Sequence, residues 1–163
     1  MAASPTQIAD GVWRITRGVP LRINVFFVRD GDGVAVFDTG HKQMGAAVRA
    51  AADALGGATR VILSNAHADH RGGARAMTAP IHCHRDERAD VEGDGGAHYF
   101  DFRQLPFFAR PLTAYLMRAW DDGPLHVTQT LVEGDLVGDF EVITSPAMRL
   151  GRSPCGARWT AWR

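Results

Sequence analysis

The sequence predicts an α/β sandwich. Short apolar runs bounded by Gly and Asp recur along the chain, an Ala-rich stretch at helical spacing interrupts them, and the runs then resume. Val12-Trp13-Arg14-Ile15 alternates and reads as a strand. Asn24 to Val28 and Val34 to Phe37 are apolar runs joined by Arg29-Asp30-Gly31-Asp32-Gly33, a hairpin signal. Lys42 to Leu55 predicts a helix that stops at Gly56-Gly57. Val61-Ile62-Leu63 predicts a short buried strand, Gly72 to Ala79 a short helix stopped by Pro80, Ile81 to His84 a strand, and Arg85 to Val91 a polar helix. Residues 92–124 look irregular, with Gly-rich and aromatic clusters. Thr128 to Val132 and Phe140 to Ile143 read as two hairpin-like strands around the turns at Gly134-Asp135 and Gly138-Asp139.

At 163 residues one domain with a real core is expected. The net charge is zero, so the chain as a whole offers no electrostatic case for nucleic acid or an acidic membrane. The expected partner is a small-molecule substrate. Two cysteines, Cys83 and Cys155, make no disulfide framework. No signal peptide is visible at Met1-Ala2-Ala3-Ser4-Pro5, and no apolar run approaches transmembrane length. These features suit a cytoplasmic protein.

The densest chemistry lies in Ser64-Asn65-Ala66-His67-Ala68-Asp69-His70-Arg71-Gly72-Gly73. A strand ending at Leu63 would hold His67, Asp69 and His70 on one tight turn. Two imidazoles and a carboxylate suit Zn²⁺ or another borderline divalent ion. A plain polar surface turn is the alternative reading.

This turn resembles the signature of the metallo-β-lactamase-fold hydrolases, His-x-His-x-Asp-His followed by x-Gly-Gly. Here it reads Asn65-x-His67-x-Asp69-His70-x-Gly72-Gly73. Asp38-Thr39-Gly40, after the run Val34 to Phe37, matches a further family element, and the resemblance covers roughly residues 8–145. It implies an αββα sandwich, of which this chain holds the first half to two-thirds. It also implies a hydrolase in which water activated on one or two Zn²⁺ ions attacks an ester, thioester, lactone, β-lactam or phosphoester bond. Carried over by position, His67 belongs to the first metal site and Asp69 and His70 to the second. Asp69 also orients the attacking water. Asn65 takes a usual histidine position, where its carbonyl oxygen is a poorer Zn²⁺ ligand than imidazole.

Asp38 reads as an anchor hydrogen-bonding to the ligand turn, or equally as a turn-forming residue. His41, at a strand end, is a candidate for lining the cleft. His82 and His84 alternate on a strand and share a face; they read as structural, with Cys83 a buried small hydrophobe on the other side. His98, Tyr99, Phe100, Phe102 and Pro106-Phe107-Phe108 read as core packing or as a pocket-lining aromatic loop. His126 has no evident partner.

The end of the sequence divides from the rest. Residues 1–145 read as a partial metallo-β-lactamase-like domain and 146–163 as an aberrant tail. In the family a strand like Phe140-Glu141-Val142-Ile143 leads to His-x-Pro-Gly-His-x-Pro-Gly, whereas this chain continues Thr144-Ser145-Pro146-Ala147-Met148. Residues 143–163 can be back-translated with GC-rich codons, beginning ATC ACC TCC CCG GCC ATG CGC CTG GGT. Joining the third base of each codon to the first two of the next gives His-Leu-Pro-Gly-His-Ala-Pro-Gly-Ser-Val-Ala-Leu-Trp. Third bases, and the codon families of Arg, Leu and Ser, are all that is free to choose. The expectation is a one-base deletion near codon 143 or 144, an out-of-frame tail and impaired two-metal catalysis. The rival is a natural short variant: a non-catalytic remnant or a metal-poor binding module.

Overall fold

The computed structural model describes residues 4–18, 22–138 and 140–143. Seven strands form one sheet in sequence order: β1 (Thr6–Ala9), β2 (Val12–Arg17), β3 (Ile23–Asp30), β4 (Gly33–Phe37), β5 (Ala58–Leu63), β6 (Ile81–His84) and β7 (Gln129–Leu131). β1 to β4 run antiparallel, because two-to-five-residue connections can only reverse the chain; β4 to β7 run parallel, because each connection carries helical structure. The connection from β4 to β5 contains a turn of 3₁₀ helix, Lys42–Met44, and α1 (Gly45–Asp53).

β4 is buried along its whole length, which is why Gly-Val-Ala-Val-Phe is continuously apolar. Its alternate residues feed two cores. Val34 and Val36 join Phe27, Val61, Leu63, Val48 and Met44 beneath α1; Ala35 and Phe37 join Val12, Val28, Ile62 and Leu131 on the opposite face. The second face is capped by Val137 and Phe140 from a small hairpin of β8 (Leu136–Val137) and β9 (Phe140–Glu141). No helix among the described residues is long and apolar enough to cross a membrane.

Several elements differ from expectation. The helix expected over Gly72 to Ala79 starts earlier, as α2 (Ala68–Arg71), and gives way to a 3₁₀ turn at Ala74–Ala76. The Arg85 to Val91 segment divides into a 3₁₀ turn and α3 (Arg88–Val91). Residues 92–124, expected to be irregular, contain α4 (Arg110–Trp120); its Pro111 falls in the first turn, where a missing N–H costs nothing. The Thr128 to Val132 strand does not pair with Phe140; β7 lies parallel to β6. A turn closed by Val132 N donating to Asp135 Oδ2 and Asp135 N donating to Val132 O turns the chain away into the β8–β9 hairpin. β1 escapes pattern reading because it is an exposed edge with an irregular register between Gln7 and Ala9.

Candidate metal centre

The site forms where β4 and β5 end side by side. Asp38 follows β4 with φ of 58°, a left-handed conformation that Asp tolerates better than most residues. Its Oδ1 accepts from Ser64 N at 2.9 Å and its Oδ2 from Ser64 Oγ at 2.7 Å, so it pins the first residue after β5. The same Oδ2 lies 2.8 Å from His70 Nδ1, and Ser64 Oγ lies 3.0 Å from that nitrogen. Thr39 completes the grip: its N and Oγ1 donate to the His70 carbonyl at 2.8 and 2.9 Å. Ring and backbone of His70 are therefore both held from the Asp38-Thr39 turn.

With Nδ1 engaged by Asp38, His70 turns Nε2 outward, 3.6 Å from Asp69 Oδ2. Burial opposes charge on this ring, but the attraction of Asp38, its hydrogen bond, and the charges of Asp69 and Glu87 together outweigh it and push the pKa up to about 9. Surroundings that draw a proton onto the ring attract a divalent cation for the same reason. For His67, desolvation where the ring lies against Gly96 is the largest influence and pulls its pKa below the usual histidine value.

Asn65 is occupied otherwise. Its Oδ1 accepts from His67 N at 2.9 Å, closing a small side-chain turn that sets the chain into α2. Next to it, Ala66 N donates to the buried carboxylate of Glu87 at 3.0 Å. Gly72 and Gly73 let the turn pack against backbone. A Cβ on Gly72 would collide with the carbonyls of Trp120 and Ala68 and lie 2.7 Å from Lys42 N; one on Gly73 would lie 2.6 Å from the Thr39 carbonyl.

Arg71 was not expected to matter and is central. Its side chain is 0% exposed. Nε and Nη2 donate to the two Asp121 oxygens at 3.0 and 2.6 Å, and Nη1 reaches the carbonyls of Asp90, Val91 and Gly93. It thus ties the ligand turn to the ends of α3 and α4. Only the partners, distant in sequence, reveal this role.

The remaining histidines fall as follows. His41 stacks on Trp120, centroids 5.5 Å apart at 19°, with its Nδ1 buried and without a partner. His82 and His84 share the sheet face opposite Cys83 and are buried. Burial, with Arg60 nearby, lowers the pKa of His82. Burial pushes the Cys83 thiol up to about 12. His126 has a partner in Glu92, 3.9 Å away. Core packing does not hold for Phe107 and Phe108, which are exposed.

Among the described residues, the three ligand-type groups whose atoms converge within 4.8 Å are Asp90, Asp94 and His98, not the signature turn. Asp94 there accepts from Gly96 N and His98 N, so it caps a 3₁₀ turn. The signature turn contributes one pair, Asp69 Oδ2 and His70 Nε2 at 3.6 Å, and His67 separately. That donor set fits a divalent ion in part: a carboxylate beside an imidazole whose other nitrogen is fixed by a carboxylate is the arrangement zinc ligands adopt.

Comparison with known proteins identifies the lineage. The model of the metallo-beta-lactamase superfamily matches residues 18–147. The chain belongs to the metallo-beta-lactamase superfamily. A probable metallo-hydrolase of Bacillus subtilis, YybB, is 32% identical over 141 residues, an alignment covering 72% of this chain and 64% of that relative. A subclass B3 metallo-beta-lactamase of Bradyrhizobium japonicum has the same fold with a TM-score of 0.61 at 19% identity, covering 96% of this chain and 56% of its own. A beta-lactamase domain protein of Burkholderia ambifaria gives 0.61 at 21% identity, covering 96% and 52%. The superfamily chain therefore spans 64% of the curated relative's length and 52–56% of those two solved structures.

Proposed function

We propose that the chain is a metal-dependent hydrolase, with Zn²⁺ the ion its donors suit, acting on a small ester, thioester or lactone-like bond. The observation that carries this is the Asp38–His70–Asp69 arrangement: one carboxylate holds Nδ1, and Nε2 faces a second carboxylate. His67, Asp69 and His70 would hold the ion. When bound, it lowers the pKa of a water and polarises the substrate carbonyl. Asp38 and Ser64 keep the His70 ring oriented, and Asp69 accepts a hydrogen bond from the attacking water. Membership in the superfamily and the likeness to a probable metallo-hydrolase support this reading.

The proposal extends to the coding sequence. The residues from Thr144 onward lie outside those described. Back-translated with GC-rich codons and shifted by one base, they can spell the His-x-Pro-Gly-His-x-Pro-Gly run that would supply a further first-site histidine. We read the chain as written as impaired and the frame-restored chain as the active form.

The test is to sequence the gene from codon 135 onward, build the frame-restored chain, and assay both chains against nitrophenyl esters, a thioester and a lactone with Zn²⁺. Zinc-dependent turnover by the restored chain, with weak or no turnover by the chain as written, is expected. Absence of turnover by the restored chain across the panel, with zinc bound, overturns the hydrolase reading. A shifted frame that closes at once overturns the deletion.

A further inference from the structure

Residues 102–120 gather apolar side chains in solvent. Phe107 is 79% exposed, Phe108 71%, Leu112 61% and Tyr115 67%. Leu112 and Tyr115 are spaced to fall on one side of α4, Phe107 and Phe108 stand in the turn before it, and no residue of α4 is buried. The helix is nonetheless fixed: at its end Trp120 stacks on His41, Gln43 Nε2 donates to the Ala119 carbonyl at 2.7 Å, and Asp121 is held by Arg71. Its aromatic side therefore points away from the body as a built feature. A contiguous apolar patch rimmed by charge marks an interaction surface.

Charge selects the partner. Between Phe102 and Trp120 the chain has three arginines and no Asp or Glu. Arg103 is neutralised by Asp101. Arg110 gives its hydrogen bonds to the carbonyls of Leu105 and Arg103 and shares the single carboxylate of Asp101 with Arg103, and Arg118 is exposed, so positive charge is in excess there. The acids after the helix are already paired, Asp121 with the buried Arg71 and Asp122 with Lys42, each at 2.6 Å. A second copy packed on this face would bring arginines towards their own counterparts. An anionic bilayer instead receives the apolar side chains at the acyl boundary and the arginines at the phosphates. We propose that α4 and the Phe107-Phe108 turn form a docking surface for an anionic lipid bilayer. The zero net charge of the whole chain averages this local excess away. The proposal stands independently of the hydrolase reading.

The experiment is flotation of the full chain with phosphatidylcholine vesicles containing or lacking phosphatidylglycerol. The chain is expected to float with the phosphatidylglycerol vesicles and to lose affinity at least about tenfold on joint replacement Phe107→Ser and Phe108→Ser. Arg118→Gln is expected to weaken binding about fivefold. Circular dichroism of each variant checks its fold, and Leu112→Ser and Tyr115→Ser probe the same face should the double variant lose it. No flotation at any phosphatidylglycerol content overturns the proposal. So does flotation indifferent to lipid charge. A dimer in sedimentation velocity that the Phe107→Ser, Phe108→Ser variant abolishes would give the face to a second copy and overturn it as well.

Discussion

The ligand turn and α4 meet at Trp120, yet they are held in opposite ways. The turn from Ser64 to Gly73 is fastened along its length by short bonds from Asp38, Thr39 and Glu87, several of them to backbone. α4 buries no residue and is fastened at one end. The turn takes its order from a polar network that fixes its backbone and the His70 ring. The helix takes its order from a few side chains, Arg71 chief among them, and leaves a face free. A close-packed glycine pair joins the two regions.

Arg71→Met breaks the comparison most severely. It strands the Asp121 carboxylate and three carbonyls while removing a fully buried charge with every guanidinium nitrogen bonded. Losing one partner of a buried pair costs about 3–5 kcal/mol. Urea unfolding should show that loss, and limited proteolysis should cut in the segment before α4 well before the sheet unfolds. A midpoint within error of the parent would show that α4 is held by something else.

Gly72→Ala probes the joint. The backbone there needs no left-handed conformation; the obstacle is the Trp120 carbonyl, which cannot move without shifting the end of α4. Overpacking of this kind costs about 1–3 kcal/mol. A thermal shift no larger than that of an exposed Gly→Ala control would mean the gap yields.

Asp38→Asn tests the turn alone. The amide can still bond to Ser64 but no longer supplies a charged acceptor for His70 Nδ1. Loss of such an outer partner weakens metal binding roughly 10- to 100-fold. Zinc titration calorimetry on the full chain reads it directly, and unchanged affinity would remove Asp38 from the site's machinery.

What was legible in the sequence follows the same division. Strands β2 to β6 and α1 were readable because their apolar periods are driven by burial against neighbours close in sequence. The chemistry of the ligand turn was readable as residue types at close spacing. Three things were not. Asn65 could be placed at a ligand position, but its bond to His67 N depends on the local backbone path. Arg71 looked like a spacer, because its partners lie up to 50 residues away. α4 lies in a stretch whose Gly-rich and aromatic clusters read as irregular, and its hydrophobic pattern serves no core. Contacts between distant segments, and faces that pack against nothing, leave no periodic trace.

The smallest expected effect sharpens the contrast. Ser64→Ala deletes a hydroxyl bonded within the network to Asp38 and His70, and an ordinary hydrogen bond of this kind contributes about 0.5–1.5 kcal/mol. Leu112→Ser removes a larger, apolar side chain, yet one that is 61% exposed on α4. Surface changes of that sort stay within about 0.5 kcal/mol. Measured side by side in urea, the loss of one oxygen should therefore exceed the loss of the leucine. The reverse order would mean that Leu112 is covered in the free protein, and the aromatic face of α4 would then belong to the fold and not to a partner.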